Sequence, residues 1–227
     1  METSGTRERF IKEAIDLFYK KGFVKGSIRN LVKSVNLTNA VFYNYFKNKD
    51  HLLYEIVERM NKEYFRRMNY ALSKNDDPFD RLREMVFQHT CLAAETKKGV
   101  KIFFEDVSQL SPKFRAKILD QEKNMYNLFK KQISDLEKKG ILRPVNKTVA
   151  TFCCFAMINW AWRWFKESGE LSVEEVAENI ADIFFNGILN TEKIYKSRKT
   201  LMKMRSGQEN QNKLSRLKLK RGKDNGQ

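Results

Sequence analysis

Residues 39–46 have the sequence NAVFYNYF, which combines four aromatic rings with two amides in eight positions. An asparagine amide can form paired hydrogen bonds with the edge of adenine, a tyrosine hydroxyl can bind a phosphate, and alanine lets a helix approach a base pair closely. These residue types therefore fit contact with a nucleic-acid duplex. The same residues, taken alone, also fit an amphipathic helix in a protein core, so the neighbouring elements have to distinguish the two interpretations.

Helical spacing divides this stretch into two faces. In a helix that begins at residue 38, Val41, Phe42 and Phe46 lie about one turn apart and can pack, with Leu37, on two preceding helices. The opposite face then carries the small and polar residues that could contact DNA: Thr38, Asn39, Ala40, Tyr43, Asn44 and Tyr45. We therefore expect the phenylalanines to be buried and the amides to point outward.

The preceding residues predict two further helices joined to this one by tight turns. The first runs over about 7–21 and ends at Gly22, where a left-handed cap is expected. The second covers 28–35, and Asn36, which tolerates the left-handed conformation, follows it. A longer fourth helix is expected from Lys49 to about Leu72. Two short helices joined by a tight turn and packed on a longer helix describe a helix-turn-helix.

Charge and composition limit the class of protein. The chain has 44 Lys and Arg residues against 28 Asp and Glu, a formal charge of +16, which favours a polyanionic partner such as nucleic acid or anionic lipid. It contains no apolar run of about 18 residues, and its N-terminal sequence lacks the apolar stretch of a signal peptide. Three cysteines, two of them adjacent, suit a reducing compartment. We expect a cytoplasmic protein that makes no membrane contact.

The remaining apolar spacing predicts an all-α protein. Past a break near Pro78, helices are expected over 79–96, 112–140, 147–166 and 172–190, with an interruption at 97–99. The helix over 147–166 is apolar nearly all round, which indicates a central or interface position.

Composition also suggests the domain organisation. Residues 191–227 hold twelve Lys or Arg and three acidic residues, a net charge of +9, with few apolar side chains. We expect a mostly disordered basic tail there. The predicted domains are a helix-turn-helix domain at 1–50, a larger helical domain at 51–190 and the tail at 191–227.

A cluster of rings and cations near the end of the 147–166 helix is a candidate ligand site. Trp160 and Trp164 are one turn apart, and Arg163 and Lys166 alternate with them, so the cluster could hold a flat anionic ligand by stacking and charge. The alternative is packing between subunits with cation–π contacts at the rim. A second candidate is an apolar cavity, although the same residues could form ordinary core; its lining would be Phe103, Phe104, Met125, Phe129 and Phe155.

Catalytic and metal-binding chemistry find little support in the sequence. His51 and His89 are the only histidines, and neither has Cys or Asp partners at ligand spacing. We find no glycine-rich phosphate loop and no nucleophile elbow. Glu105 and Asp106 are adjacent, so on a helix their carboxylates diverge. The sequence indicates no enzyme, no cofactor and no metal site.

Residues 7–53 resemble the DNA-binding domain of the tetracycline-repressor (TetR) family. The matching landmarks are Ala14, Leu17, Phe18, Gly22, Phe23, Ser27, Ile28, Arg29, Leu31, Phe42, Tyr43, Tyr45, Phe46, Lys49 and Leu52. The resemblance implies an all-helical homodimer whose recognition helix, residues 38–46, enters the major groove of a palindromic double-stranded operator. It also implies phosphate contacts from Ser27, Tyr43, Tyr45 and Lys49, and we place Arg29 with these DNA contacts. Asn36 and Val32 depart from the family's usual Gly and Ala.

A second, shorter stretch extends the resemblance. Residues 159–189 look like TetR-family regulators that sense acyl-coenzyme A, which would place Arg163 and Lys166 at nucleotide phosphates and a tryptophan at the acyl opening. Dimerisation of this family type implies pairing of the last two helices, with candidate residues Cys153, Met157, Phe184, Phe185, Ile188 and Leu189. We therefore expect a ligand-responsive regulator, most simply a repressor, with a small apolar or acyl-coenzyme A effector. The alternative is a charge-driven protein that binds nucleic acid or membrane surfaces without sequence preference.

Overall fold

The computed structural model describes residues 2–190, and within them the chain is helical with short connections. The bounds of the α-helices are α1 Glu2–Lys25, α2 Ile28–Ser34, α3 Asn39–Tyr45, α4 Lys49–Lys74, α5 Pro78–Glu95, α6 Lys97–Asp106, α7 Pro112–Lys138, α8 Lys147–Trp164 and α9 Val173–Ile188. A 3-10 turn at Val107–Gln109 follows α6. The predicted all-α fold class is confirmed over this range. The predicted basic tail lies outside the described residues.

Local signals set most of the helix ends. The side chains of Ser27, Thr38 and Asn48 cap α2, α3 and α4 by accepting hydrogen bonds from backbone amides of the first turn. Ser172 and Glu175 form a reciprocal capping box at α9. The two positive φ angles expected near the first helices are present, because Gly22 has φ 73° and interrupts α1, and Asn36 has φ 54° after α2.

The helical interruption predicted at 97–99 is wrong. Thr96 ends α5, and α6 begins at the next residue, so the run of polar residues marks a change of direction between two helices. Gly99 allows a close approach at this junction, since a Cβ there would lie 3.1 Å from the sulfur of Met60 and would require that side chain to shift. The close approach lets α6 pack against α4.

Two hydrophobic cores share α4. The first half of α4, including Leu52, Leu53 and Ile56, packs with α1, α2 and α3. The second half, including Tyr64 and Met68, packs in a larger core with α5, α7, α8 and α9. The helix α4 therefore contributes to both cores, and displacement of one of its ends can move the other. No helix within residues 2–190 is long and apolar enough to cross a bilayer.

Candidate DNA-reading surface and ligand cavity

The burial of α3 matches the two faces expected from its sequence. Phe42 and Phe46 are both 0% exposed. The ring of Phe10 on α1 meets them edge-on, with centroid distances of 5.6 Å to Phe42 and 6.2 Å to Phe46. These rings fix the rotation of α3 about its own axis and therefore decide which residues point outward.

The outward face of α3 is exposed, with one exception. Tyr43 is 55% exposed, and the other exposed residues are Thr38, Asn39, Ala40 and Asn44. Tyr45 was expected on the same face but is half-buried, with its ring 6.2 Å from Phe10. It lies three residues after Phe42, beside the buried stripe, so only part of its ring reaches solvent.

The residues outside α3 that were predicted to contact phosphate differ in exposure and in the hydrogen bonds that they already make. Arg29 is exposed, and Ser27 is exposed while its hydroxyl caps α2. The Lys49 ammonium donates to the backbone carbonyls of Phe23 at 2.9 Å and Val24 at 3.3 Å, and lies 4.3 Å from the Phe23 ring centroid. Burial lowers the pKa of Lys49, and the opposing attraction of Asp106 does not cancel this effect. In the free protein Lys49 is therefore held against α1.

Two lysines that were not among the predicted DNA contacts also lie beside this surface. Lys33 in the last turn of α2 and Lys47 directly after α3 are both exposed. The sequence feature that could have identified them is their position at the ends of the two short helices of the helix-turn-helix. Lysines at such a rim can contribute salt-dependent phosphate contacts.

A cavity of about 700 Å³ lies between α4, α5, α6, α7 and α8, within the usual size range for small-molecule sites. Four of the predicted cavity residues line it, namely Phe103, Phe104, Met125 and Phe155. Phe129 was predicted with them but is fully buried behind the wall, with its ring centroid 4.9 Å from that of Phe155. The lining is mostly apolar, with a few polar side chains such as Asn61, His89 and Asn159.

Charged residues mark the open side of this cavity. Arg115 and Lys123 on α7 are exposed and line it, together with half-buried Glu122. Burial raises the pKa of Glu122, and Arg115 only partly opposes that effect. The opening is therefore more positive than negative and can accept an anionic group.

The tryptophan and arginine cluster does not belong to this cavity. Trp160, Arg163 and Trp164 are exposed and absent from its lining, and Lys166 lines a second groove between α1, α4 and the loop after α8. The guanidinium of Arg163 lies 5.0 Å from the Trp160 ring centroid. The two predicted candidate sites are therefore separate in the structure, and the exposed rings favour the interface alternative for the tryptophan and arginine cluster.

The residues predicted for the dimer interface are largely buried within one protomer. Phe184, Phe185, Ile188 and Leu189 pack in the larger core, and Met157 packs against it, so this assignment needs correction. Cys153 is exposed. The exposed apolar side chains on α8 and α9, which we call the α8–α9 stripe, are Val149, Phe152, Cys153, Ala156, Trp160, Trp164 and Ile183.

Contacts from α6 connect the cavity to the N-terminal helices. The backbone N–H of Phe23, next to the Gly22 interruption in α1, donates to a carboxylate oxygen of Asp106 at 3.1 Å. Asp106 ends the helix that carries Phe103 and Phe104 on the cavity wall. Burial raises the pKa of Asp106 against the effect of this hydrogen bond. Movement of α6 can therefore reach the junction in α1.

A second connection runs along α4 through polar side chains. Asn61, which lines the cavity, donates to Gln121 at 2.5 Å, and Gln121 donates to Glu58 at 2.8 Å. Glu58 also accepts from the Tyr54 hydroxyl at 3.2 Å, and the Tyr54 ring stacks on Phe114 with centroids 4.3 Å apart. The cavity wall is thus linked to the half of α4 that packs against the helix-turn-helix.

Comparison with known proteins agrees with this arrangement. The family described as tetracyclin repressor-like, C-terminal domain, matches residues 75–188, and the family described as bacterial regulatory proteins, tetR family, matches residues 10–56. The HTH-type transcriptional regulator HbdR of Aromatoleum sp. (strain CIB) is 22% identical over 158 residues, covering 70% of this chain and 68% of that protein.

Two further relatives cover more of the fold. The HTH-type transcriptional repressor KstR2 of Mycolicibacterium smegmatis (strain ATCC 700084 / mc(2)155) is 21% identical over 198 residues, covering 84% of this chain and 94% of that protein. The crystal structure of AibR in complex with isovaleryl coenzyme A and operator DNA superimposes with a TM-score of 0.71 at 24% identity, covering 78% of this chain and 96% of that chain. The chain belongs to the TetR family of transcriptional regulators, and its first helices form the DNA-binding helix-turn-helix of that family.

Proposed function

We propose that the protein is a ligand-responsive repressor that binds a palindromic operator as a homodimer. The observation that carries this proposal is the orientation of α3, whose two buried phenylalanines turn Asn39, Tyr43 and Asn44 outward. Asparagine can pair with adenine edges and tyrosine with phosphates, so this face supports reading of the major groove. Two copies related by a two-fold axis would present it to two half-sites about one helical turn apart.

The α8–α9 stripe is our proposed dimer interface. Trp160 is 59% exposed and Ile183 is 64% exposed. Large apolar side chains exposed together on neighbouring helices are typical of a surface that a partner covers. Pairing two such helix pairs gives a four-helix interface in which each copy contributes the same residues.

We propose an effector with an apolar body and an anionic end. The apolar wall of the cavity would hold the body, and Arg115 and Lys123 at the open side would meet the charge. An acyl-coenzyme A thioester has both parts, and the AibR structure contains isovaleryl coenzyme A. These cations replace Arg163 and Lys166 as the proposed partners of the anionic end, because the latter pair lies outside the cavity.

Effector binding would act on DNA through α6 and α4. A molecule in the cavity presses on Phe103 and Phe104, and α6 transmits the displacement to Phe23 through Asp106. The effector changes operator affinity only to the extent that it favours one of two arrangements of the reading helices, and such couplings are commonly about 1–3 kcal/mol.

An operator titration tests the proposal. Genomic fragments that the full chain retains at moderate salt would be sequenced, and the palindrome they share would be titrated with and without isovaleryl or palmitoyl coenzyme A. We expect one palindrome to bind at least about a thousandfold more tightly than scrambled DNA, and one acyl-coenzyme A to weaken binding. An unchanged affinity across acyl chain lengths would contradict the acyl-coenzyme A effector.

The charge-driven alternative predicts a different dependence on salt. A protein that binds through charge alone loses affinity equally for all sequences as salt rises, whereas an operator-specific dimer keeps its preference. Deletion of residues 197–227, which removes most of the positive charge of the tail, should weaken binding to scrambled DNA and leave the operator preference intact. A changed preference among half-sites in the truncated protein would contradict this assignment of the tail.

A further inference from the structure

Two buried polar atoms on the cavity wall have no hydrogen-bond partner among the described residues. They are the hydroxyl of Tyr64 on α4 and Nδ1 of His89 on α5. Tyr64 is 3% exposed and His89 is 9% exposed, and both line the cavity. Their ring centroids are 4.8 Å apart and the rings are nearly perpendicular. The two rings therefore lie side by side on the buried side of the cavity, which we call its closed end, whereas Phe104 and Arg115 on the same lining are exposed.

The surroundings of this pair are apolar. The rings of Phe129 and Phe155 lie 5.9 Å and 6.0 Å from the His89 ring. A buried polar group without a partner destabilises a protein, whereas an apolar side chain of similar shape at the same place does not. Two such groups side by side on a cavity wall indicate a partner that enters the cavity.

The pair also restricts the charge of that partner. Burial holds His89 neutral, with its pKa lowered to about 3, and raises the pKa of the Tyr64 hydroxyl. The cations that line the cavity, Arg115 and Lys123, are at its open side. An ionised carboxylate at the closed end would be buried without a counter-charge, which is strongly unfavourable.

We propose that Tyr64 and His89 recognise an uncharged hydroxyl group on the apolar end of the effector. A hydroxyl can accept a hydrogen bond from the tyrosine and also donate to, or accept from, the imidazole nitrogen, so it suits either tautomer of His89. The inference rests on the proposed function in one respect, that the cavity is the effector site. It adds the chemical class of the buried end: a hydroxylated apolar group, with carboxylates excluded.

The first test measures stability and needs no ligand. Because the Tyr64 hydroxyl has no partner in the free protein, Tyr64→Phe should leave the melting temperature unchanged or raise it. Tyr126→Phe is the matched control, since the Tyr126 hydroxyl lies on the same cavity but is bonded to Thr148 Oγ1 at 3.1 Å. A drop of several degrees for Tyr64→Phe, larger than that of the control, would show that the hydroxyl is already bonded and would overturn the proposal.

The second test compares three probes with the same body: para-hexylphenol, hexylbenzene and para-hexylbenzoate. Binding to the full chain is measured by calorimetry at neutral pH without DNA. The phenol should bind about tenfold more tightly than hexylbenzene, since one or two hydrogen bonds are gained, and para-hexylbenzoate should bind most weakly. Tyr64→Phe and His89→Leu should each reduce the preference for the phenol and leave hexylbenzene binding within about twofold, and Tyr126→Phe should keep the preference.

These outcomes separate this site from the proposed function. Equal binding of the three probes, no binding of any, or a phenol preference that survives both substitutions would overturn the Tyr64–His89 site and leave effector sensing by other groups untouched. A phenol preference that depends on Tyr64 supports the site. If that phenol then leaves operator affinity unchanged, the assignment of the cavity as the sensing site is contradicted and the binding site still stands.

Discussion

At the scale of single residues, the reading face depends on side chains that contribute little to the stability of the fold. Asn39 and Asn44 are exposed on α3, and neither makes a side-chain hydrogen bond within the described residues. An amide that is fully hydrated in the free protein can exchange water for a base edge at small cost. In the proposed reading of DNA, specificity and stability of the fold would therefore rest on different residues of the same short helix.

Replacement of Asn39 by alanine should weaken operator binding and leave the fold intact. The loss of a paired hydrogen bond to adenine is worth about 1–3 kcal/mol, which is roughly a tenfold to hundredfold loss of affinity at the contacted base pair. Fluorescence anisotropy with the operator and with operators altered at each position measures this effect. Asn127→Ala, an exposed asparagine on α7, is the control and should bind as the parent does; equal losses for both would contradict the role of Asn39.

His89 makes stability depend on pH in a defined direction. The unfolded chain takes up a proton on this residue near its ordinary pKa of 6.5, whereas the folded protein resists protonation down to about 3. Proton uptake therefore favours the unfolded state as the pH falls from 6.5 towards 3, and the free energy of unfolding decreases by up to a few kcal/mol.

His89→Leu should remove this part of the acid sensitivity. Urea unfolding of the variant and the parent between pH 7 and pH 4 would show similar stability at neutral pH and a growing advantage of the variant below pH 6.5. Parallel curves over the whole range would mean that the imidazole titrates in the folded state, contrary to its burial.

At the scale of elements, α6 determines how the two parts of the molecule are connected. Its cavity side carries Phe103 and Phe104, and its last residue, Asp106, accepts the Phe23 amide hydrogen bond. Lys101 on the same helix donates to the Tyr19 carbonyl of α1 at 3.0 Å. Because α6 is short and contacts both α1 and the cavity, a small displacement of the helix is transmitted as a rigid movement.

Asp106→Leu should loosen the junction in α1. Loss of a hydrogen bond to a charged acceptor is worth about 1.5–3 kcal/mol, so amide exchange at Phe23 should accelerate by about tenfold or more. Hydrogen exchange with mass spectrometry on peptides spanning residues 17–27 measures this change. Asp106→Asn keeps an acceptor oxygen and should retain most of the protection; unchanged exchange in the leucine variant would contradict the role of Asp106.

At the scale of the whole molecule, one protomer exposes several large apolar side chains on α8 and α9. Phe152, which belongs to the α8–α9 stripe, also lines the cavity. In the proposed dimer, a partner that covers the stripe would therefore lie next to the proposed effector site. This proximity would let the effector alter the angle between two protomers directly, in addition to the proposed path through α6.

Ile183→Glu should convert the dimer to a folded monomer. An unpaired carboxylate buried in the proposed interface is costly, whereas in a separated protomer the same side chain is hydrated. Sedimentation velocity reports the mass, and operator affinity should fall by about a hundredfold or more because one half-site contact is lost. Tyr70→Glu, on the exposed side of α4, is the control and should remain dimeric; a dimeric Ile183→Glu would contradict the proposed interface.

The sequence by itself determined most of the helices, several of their caps and the rotation of α3, but not α6. These features depend on residues within one or two turns of each other, such as the spacing of Phe42 and Phe46 or the pairing of Ser172 with Glu175. The family assignment was accessible for the same reason, since its landmarks are local and concentrated in residues 7–53.

Only the tertiary structure decided what each apolar helix face packs against. Helical periodicity shows that Phe184 and Phe185 share an apolar face, but it does not say whether that face meets the protomer's own core or a partner. The cavity joins five helices, and Tyr64 and His89 meet although they are 25 residues apart in the chain. Such long-range packing is set by the shapes of whole helices fitted together, which no local pattern contains.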